Sequence, residues 1–377
     1  CLLQPLLQLL RRFGKEARRI VGMAWITFIL LHIGLGTAIQ IVPARFPVSS
    51  PVTIAVQSYN ILADFYVQKT VDGSYDMVNP SHLEWSSRVN RIIDTISSSA
   101  CDIVCLQEVE RKPWETTLLP SLKEEGYDGV WNDSHDHSVG CAMLWQTPKM
   151  RVVWTQSLPR ALLIEFQLLD TSQKMGLDSS LSREDRVRSA SLSSLRFVVA
   201  SVHLSGRRGA GRQRAFEIRE VLRSLETKGL GQEKKSRRDR RQLKRGASAK
   251  ADTPVDAPVV ICGDFNSGSS GVASALLKRG CLPPGSFSER GYTLKFTPAE
   301  RHRLRHHWKF LSAYSQAPHA NNITIARGGR LNRIDHIFFT PGRGVCVEAV
   351  QETLNFSEER TSDAGGLDRE VAQLARE

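Results

Sequence analysis

Apolar and polar positions change period several times along the chain. Short runs rich in β-branched residues recur at 53–62 ("TIAVQSYNIL"), 101–109 ("CDIVCLQEV"), 196–204 ("RFVVASVHL"), 258–262 ("PVVIC") and 333–340 ("RIDHIFFT"). Each predicts a strand, and several are apolar enough to be buried on both faces. Three more runs, 140–146, 150–156 and 161–169, predict the strands of a meander. Elsewhere the period is helical. In 81–97, Trp85, Val89, Ile92, Ile93 and Ile96 form an apolar stripe, and Ser81 and Glu84 are spaced as a capping box. Residues 211–226 predict a second helix, and 271–280 a short one stopped at Gly280. Mixed strands and helices without an internal repeat predict an α/β sandwich.

The connecting segments differ in kind. Pro43 to Pro51 is a proline-punctuated linker, and 170–189 is a polar loop. Residues 226–256 hold ten Lys/Arg and five Asp/Glu with few apolar positions, the composition of a disordered basic insertion. It reads as a solvated spacer, with a nucleic-acid-attracting arm as the alternative.

The core strands share one oddity: each carries polar groups at or near an end. Asn60 follows "TIAVQSY", Glu108 follows "DIVCLQ" and His203 follows "FVVASV". Asp264 and Asn266 follow "VVIC", and Asp335 opens "DHIFF". One buried polar residue is usually a satisfied structural group. Leaving several unpaired would cost on the order of 1–3 kcal/mol each, so these ends are expected to converge and satisfy one another at one rim. Carboxylates, amides and an imidazole together suit a hard divalent cation and a phosphate.

The motifs "SYNILAD" (58–64), "CLQEVE" (105–110), "SVHL" (201–204), "GDFNS" (263–267) and "IDHIFF" (334–339) stand in the order of the endonuclease/exonuclease/phosphatase superfamily. With "GYDGVW", "GCAMLW" and "FLSAYS", residues 52–340 most resemble its carbon-catabolite-repressor-type deadenylase, nocturnin and Angel branch. The resemblance implies a four-layer αββα sandwich, two packed mixed β-sheets flanked by helices, in one domain over 52–377. It also implies Mg²⁺-dependent phosphodiester cleavage, with Mn²⁺ as an alternative ion. By motif, Glu108 is the principal metal ligand with Asn60 beside it, and Asp264 positions and deprotonates the attacking water. Asn266 and His203 hold phosphate oxygens. Asp335 in the family supports a catalytic His near the C-terminus.

At that point the chain departs from the family. Ser362 and Asp363 stand in place, but Ala364 replaces the His, and no apolar strand follows. The last strand is therefore expected to be missing, with a sheet edge uncovered. His336 is a poor substitute, because alternation turns it away from the face of Asp335. A mispredicted last exon and a weakly active or inactive relative both explain the gap, and the start at Cys1 without a Met fits the first. His135 and His137 lie in a polar turn, and His302, His306 and His307 on a solvated basic segment.

Charge sharpens the picture only a little. Of the net +12, residues 1–47 contribute six Lys/Arg against one Glu, and 226–256 most of the rest, so high charge does not describe a basic face over the whole fold. Seven cysteines without metal spacing read as buried reduced thiols in a reducing compartment. The uncharged run 20–42 has the length of a transmembrane helix and follows a basic segment, 1–19. It reads as a membrane anchor, as part of an organellar (mitochondrial) targeting segment, or as mistranslated upstream sequence; without either signal the chain would be cytoplasmic.

The resulting expectation is a phosphodiesterase acting on RNA 3′ ends, of the poly(A)-exonuclease kind, with RNA or a nucleotide as substrate and no specific protein partner. The aromatic that stacks a base in deadenylases is replaced by "GGRLNRID", where Arg330 or Arg333 could stack or bind phosphate. A membrane-anchored lipid phosphodiesterase of the sphingomyelinase kind and a catalytically impaired binding protein on the same fold are the alternatives.

Overall fold

The β-branched runs pair into two sheets, and the gap between them holds the core. In this computed structural model the described residues are 36–42, 53–69, 79–133, 138–169, 195–230, 257–315, 325–327, 330–341 and 346–353. The first part of the chain forms β1 (Gly36–Val42), β2 (Ile54–Asn60), β3 (Ile103–Glu110), β4 (Tyr127–Trp131) and β5 (Val139–Gln146). Then come β6 (Met150–Leu158), β7 (Ala161–Leu168), β8 (Arg196–His203) and β9 (Val259–Asp264). A separate hairpin pairs β10 (Ser286–Glu289) with β11 (Tyr292–Lys295). The last strands are β12 (Leu311–Ser312), β13 (Ile325–Arg327), β14 (Arg330–Asn332), β15 (Asp335–Phe339) and β16 (Cys346–Thr353).

Two six-stranded sheets result, in the orders β16-β1-β2-β3-β5-β4 and β12-β15-β9-β8-β7-β6. Within each, one central pair is parallel, β2 with β3 and β8 with β9. The sheets face each other across Val56, Ile103, Cys105 and Met143 on one side and Ile164, Val199, Val260, Cys262 and Ile337 on the other. Their outer faces carry helices. Trp85–Ser99 and Leu119–Glu124, α3 and α4 after the short α1 (Asp64–Lys69) and α2 (Pro80–Leu83), cover Val104, Leu106 and Leu144. On the other side α5 (Gly211–Thr227) and α6 (Val272–Arg279) cover Val198 and Ile261. The expected αββα sandwich is therefore present, and Cys101, Cys105, Cys141, Cys262 and Cys281 are free, the first four buried.

Several local expectations are corrected. The runs 140–146, 150–156 and 161–169 are not one meander: β5 belongs to the first sheet, β6 and β7 to the second. The helix over 81–97 is two helices, because Glu84 is extended (ψ 135°), and Asn79 rather than Ser81 caps the first. The insertion begins later than 226: α5 continues to Thr227 and Leu230 is buried against the core. The end of the apolar run 20–42 is strand, not helix. Thr37, Ile39 and Ile41 are β-branched at alternating positions, and β1 pairs with β2 and β16, so the domain begins before residue 52. No helix among the described residues is long and apolar enough to cross a membrane. The segment after Ser362 lies outside the described residues; what lies beside β2 is β1, itself covered by β16.

One residue of α3 breaks the amphipathic pattern. Arg88 is buried, donating to Leu83 O (2.9 Å), Ile61 O and Leu62 O (both 2.8 Å) and pairing with Asp64. It fastens the turn that follows Asn60, where Leu62 has a positive φ of 58°. Arg88→Leu strands these carbonyls and one carboxylate, and is expected to cost about 3 kcal/mol in urea unfolding. A change under about 1 kcal/mol would contradict this role.

Candidate functional site

The register of three neighbouring strands puts Asp335 opposite Asp264, and Asp264 opposite His203. Each follows by alternation from residues that line the inter-sheet gap (Ile337, Cys262 and Val199), so all three side chains stand on the inner face of the second sheet. Asn60 ends β2 on the inner face of the first sheet, in step with Val56 and Ser58.

Glu108 does not follow from alternation. Leu106 and Val109 both pack into the outer core, and between them the register with β5 slips. Glu108 takes a left-handed φ of 57°. This bulge places two successive residues, Gln107 and Glu108, on the inner side. Gln107 Nε2 donates across the gap to Ser201 Oγ (3.0 Å), and Glu108 reaches the rim. Strict alternation would have turned Glu108 toward the helices.

The strand ends meet as expected. Asn60 Nδ2 donates to Glu108 Oε1 (2.9 Å) and Asp264 Oδ2 (3.2 Å), bridging one carboxylate from each sheet. Its Oδ1 accepts from Leu62 N (3.0 Å), so it presents nitrogen rather than oxygen to the cluster. Glu108 Oε2 accepts from Ala63 N (3.2 Å). Asp264 Oδ1 accepts from Asn266 N (2.7 Å), and Asn266 Nδ2 donates to Leu204 O (2.9 Å). His203 Nε2 lies 3.6 Å from Glu108 Oε1 and 3.9 Å from Asp264 Oδ2. Glu108, His203 and Asp264 each bring a ligand atom within 4.8 Å of the others. Two carboxylates and an imidazole at that spacing fit a divalent cation.

Burial raises the pKa of Asp264 above the ordinary carboxylate value, and the charge of Glu108 adds to it. His203, the Asn266 N–H and Asn60 oppose the shift. Gly263, just before Asp264, has a φ of 140°, and a Cβ there would lie 2.0 Å from Val202 O. Only a glycine lets β8 and β9 approach closely enough to bring His203 beside Asp264.

Other expectations resolve individually. His336 points to the opposite face, as alternation required: its Nε2 lies 2.8 Å from Ser267 O, and burial pushes its pKa down to about 3. His302 and His307 are exposed, but His306 is buried against Leu276 O (2.9 Å) because it packs under α6, and burial lowers its pKa to about 4. The Arg333 guanidinium stacks over Tyr314 at 4.1 Å from the ring centroid. Arg330 lies in β14, and its side chain is outside the described set, as are His135, His137, Ser362, Asp363 and Ala364. Two residues at the site were not anticipated. Tyr66 of α1 meets the His203 ring edge-on (6.4 Å), and Arg160 O accepts from His203 N (3.0 Å). The second could have been found by counting register back from His203 to the turn before "ALLIEF".

A model of the Endonuclease/Exonuclease/phosphatase family matches residues 58–363. Carbon catabolite repressor protein 4 homolog 6 of Arabidopsis thaliana is 26% identical over 56% of this chain and 25% of its own length. The 2′,5′-phosphodiesterase 12 of Homo sapiens is 25% identical over 77% of this chain and 45% of its own length. The chain thus spans a quarter to under half of these curated relatives. Among solved structures, ANGEL2, a 2′,3′-cyclic phosphatase, superposes with a TM-score of 0.55 at 20% identity, covering 78% of this chain and 86% of that one, which supports the fold.

Two measurements check this geometry. Gly263→Ala is expected to lower stability by at least about 2 kcal/mol, since backbone rather than a flexible side chain must move; an unchanged melting temperature would contradict the close approach. The second concerns pH in metal-free protein. Because the folded-state pKa of Asp264 is raised, its contribution to stability is fully present below the ordinary carboxylate pKa and is lost as pH rises through the raised value. The stability of Asp264→Asn relative to wild type should therefore improve with rising pH across that interval. A difference independent of pH would contradict the assignment.

Proposed function

The chain belongs to the endonuclease/exonuclease/phosphatase family, and on that footing we propose that it hydrolyses phosphodiesters at the 3′ ends of RNA or an oligonucleotide with the help of Mg²⁺. The observation that carries this reading is the meeting of Glu108 and Asp264, one from each sheet, with His203 inside a 4.8 Å cluster. Such a set concentrates negative charge where a cation relieves it. Glu108, with Asp264 in reach, would hold the ion. When bound, Mg²⁺ or Mn²⁺ neutralises charge that develops on the phosphate oxygens.

The side chains divide the remaining work. Asp264 Oδ2 faces the cluster while Oδ1 is held by Asn266 N (2.7 Å), which orients the carboxylate to position a water and accept its proton. His203 and the Asn266 amide are donors for non-bridging phosphate oxygens. Asp335 stands opposite Asp264 on the neighbouring strand. The name of one relative, a 2′,5′-phosphodiesterase, supports a ribonucleotide substrate, and the linkage is left to experiment.

The test incubates the protein with 3′,5′-oligoadenylate, 2′,5′-oligoadenylate, a mixed RNA and sphingomyelin, with Mg²⁺ or with chelator. Shortening of at least one RNA substrate is expected only with the ion, and Asp264→Ala should lose at least about 100-fold. Equal turnover by wild type and Asp264→Ala, or full activity in chelator, rejects the mechanism. Cleavage of sphingomyelin alone moves the protein to lipid substrates.

A further inference from the structure

The site continues one strand further than its recognised residues. Asp335, Asp264 and His203 form a row across β15, β9 and β8. The next strand is β7, and the residue just before it, Arg160, is tied to that row by the bond from His203 N to its carbonyl (3.0 Å). Leu162 and Ile164 of β7 line the inter-sheet gap, so alternation puts Arg160 on the same face as His203.

Contacts of the side chain agree. The Arg160 guanidinium reaches the hydroxyl of Tyr66, whose ring meets His203, and its charge is felt at Cys141 on the facing sheet. Arg160 therefore lies at the mouth of the gap, with its side chain 41% exposed. Its one carboxylate partner among the described residues, Glu217, is 3.8 Å from Nε. Glu217 is itself occupied, accepting from Ser205 N (2.9 Å), Ser205 Oγ (2.5 Å) and Gln213 Nε2 (2.9 Å). The carboxylate aims the guanidinium without saturating its five donors.

Building on the phosphodiesterase reading above, we propose that Arg160 and Tyr66 together bind a non-bridging oxygen of the scissile phosphate, on the side of the cluster away from Asn266 and Asp335. A phosphodiester in hydrolysis gathers charge on both non-bridging oxygens. Asn266 and His203 serve one side, while the Arg160 fork and the Tyr66 hydroxyl are placed to serve the other.

The test uses bis(p-nitrophenyl) phosphate, a substrate that offers little beyond the phosphate. Wild type, Arg160→Gln, Arg160→Lys, Tyr66→Phe and Asp264→Ala are compared, together with calorimetric binding of inorganic phosphate. Arg160→Gln should lower kcat/KM about 100-fold and weaken phosphate binding at an unchanged melting temperature. Arg160→Lys should recover about tenfold of this, since the charge remains but the fork is lost. Tyr66→Phe should lose about tenfold. If Arg160→Gln stays within about twofold of wild type in turnover and phosphate binding while Asp264→Ala is inactive, this inference fails and the phosphodiesterase reading stands. If Asp264→Ala equals wild type, both fall.

Discussion

The amide nitrogen of Asn60, 2.9 Å from Glu108 and 3.2 Å from Asp264, joins the carboxylates of two separate sheets. Such a bridge can form only if the sheets hold a fixed spacing and the strands end in register. The inter-sheet core supplies the spacing. Above its apolar layers lies a polar one, where Gln107 receives Ser58 Oγ (3.5 Å) and donates to Ser201 Oγ (3.0 Å). The site is the next layer. Gln107 reaches Ser201 and Asn60 reaches Asp264 on the opposing sheet, so the approach of two negative charges is compensated by donors already in place.

The loop after β8 extends the same logic. Leu204 O accepts from Asn266 Nδ2 (2.9 Å), Ser205 O from Arg214 Nη1 (2.7 Å) and Gly206 O from Arg290 Nη1 (3.2 Å). Arg214 is buried and pairs with Glu289 (2.7 Å), whose other oxygen accepts from Val272 N at the start of α6 (3.1 Å). His203 and Asn266 are thus attached to one rigid loop, and that loop is tied to two helices and a hairpin. Donors held this way need little rearrangement when charge develops in front of them.

Much of this was legible in the sequence. The motifs named the six side chains that the fold gathers, and alternation alone placed His336 on the wrong face to replace a lost histidine. The strand pattern fixed neither the partition of β5, β6 and β7 between sheets nor the seat of Glu108. Sheet membership depends on which face finds a partner, and a bulge cannot be read from period-two alternation. Arg88 was lost in a helix whose stripe looked complete without it, because its partners are carbonyls of a distant turn. Arg160 and Tyr66 were missed because each belongs to the site only through its neighbour. The end of the apolar run 20–42 shows a related limit: hydropathy does not tell strand from helix, and pairing with β2 and β16 decided residues 36–42.

The central claim is that Glu108 and Asp264 act from opposite sheets as one cation site. Titration of Mn²⁺ into the protein, followed by the loss of the free-ion spin resonance signal, tests this most directly. The account predicts one site in wild type, strongly weakened in Glu108→Gln and in Asp264→Asn separately, with the double variant little worse than either. Binding that survives either single change, or two independent sites that each vanish with one residue, would contradict it.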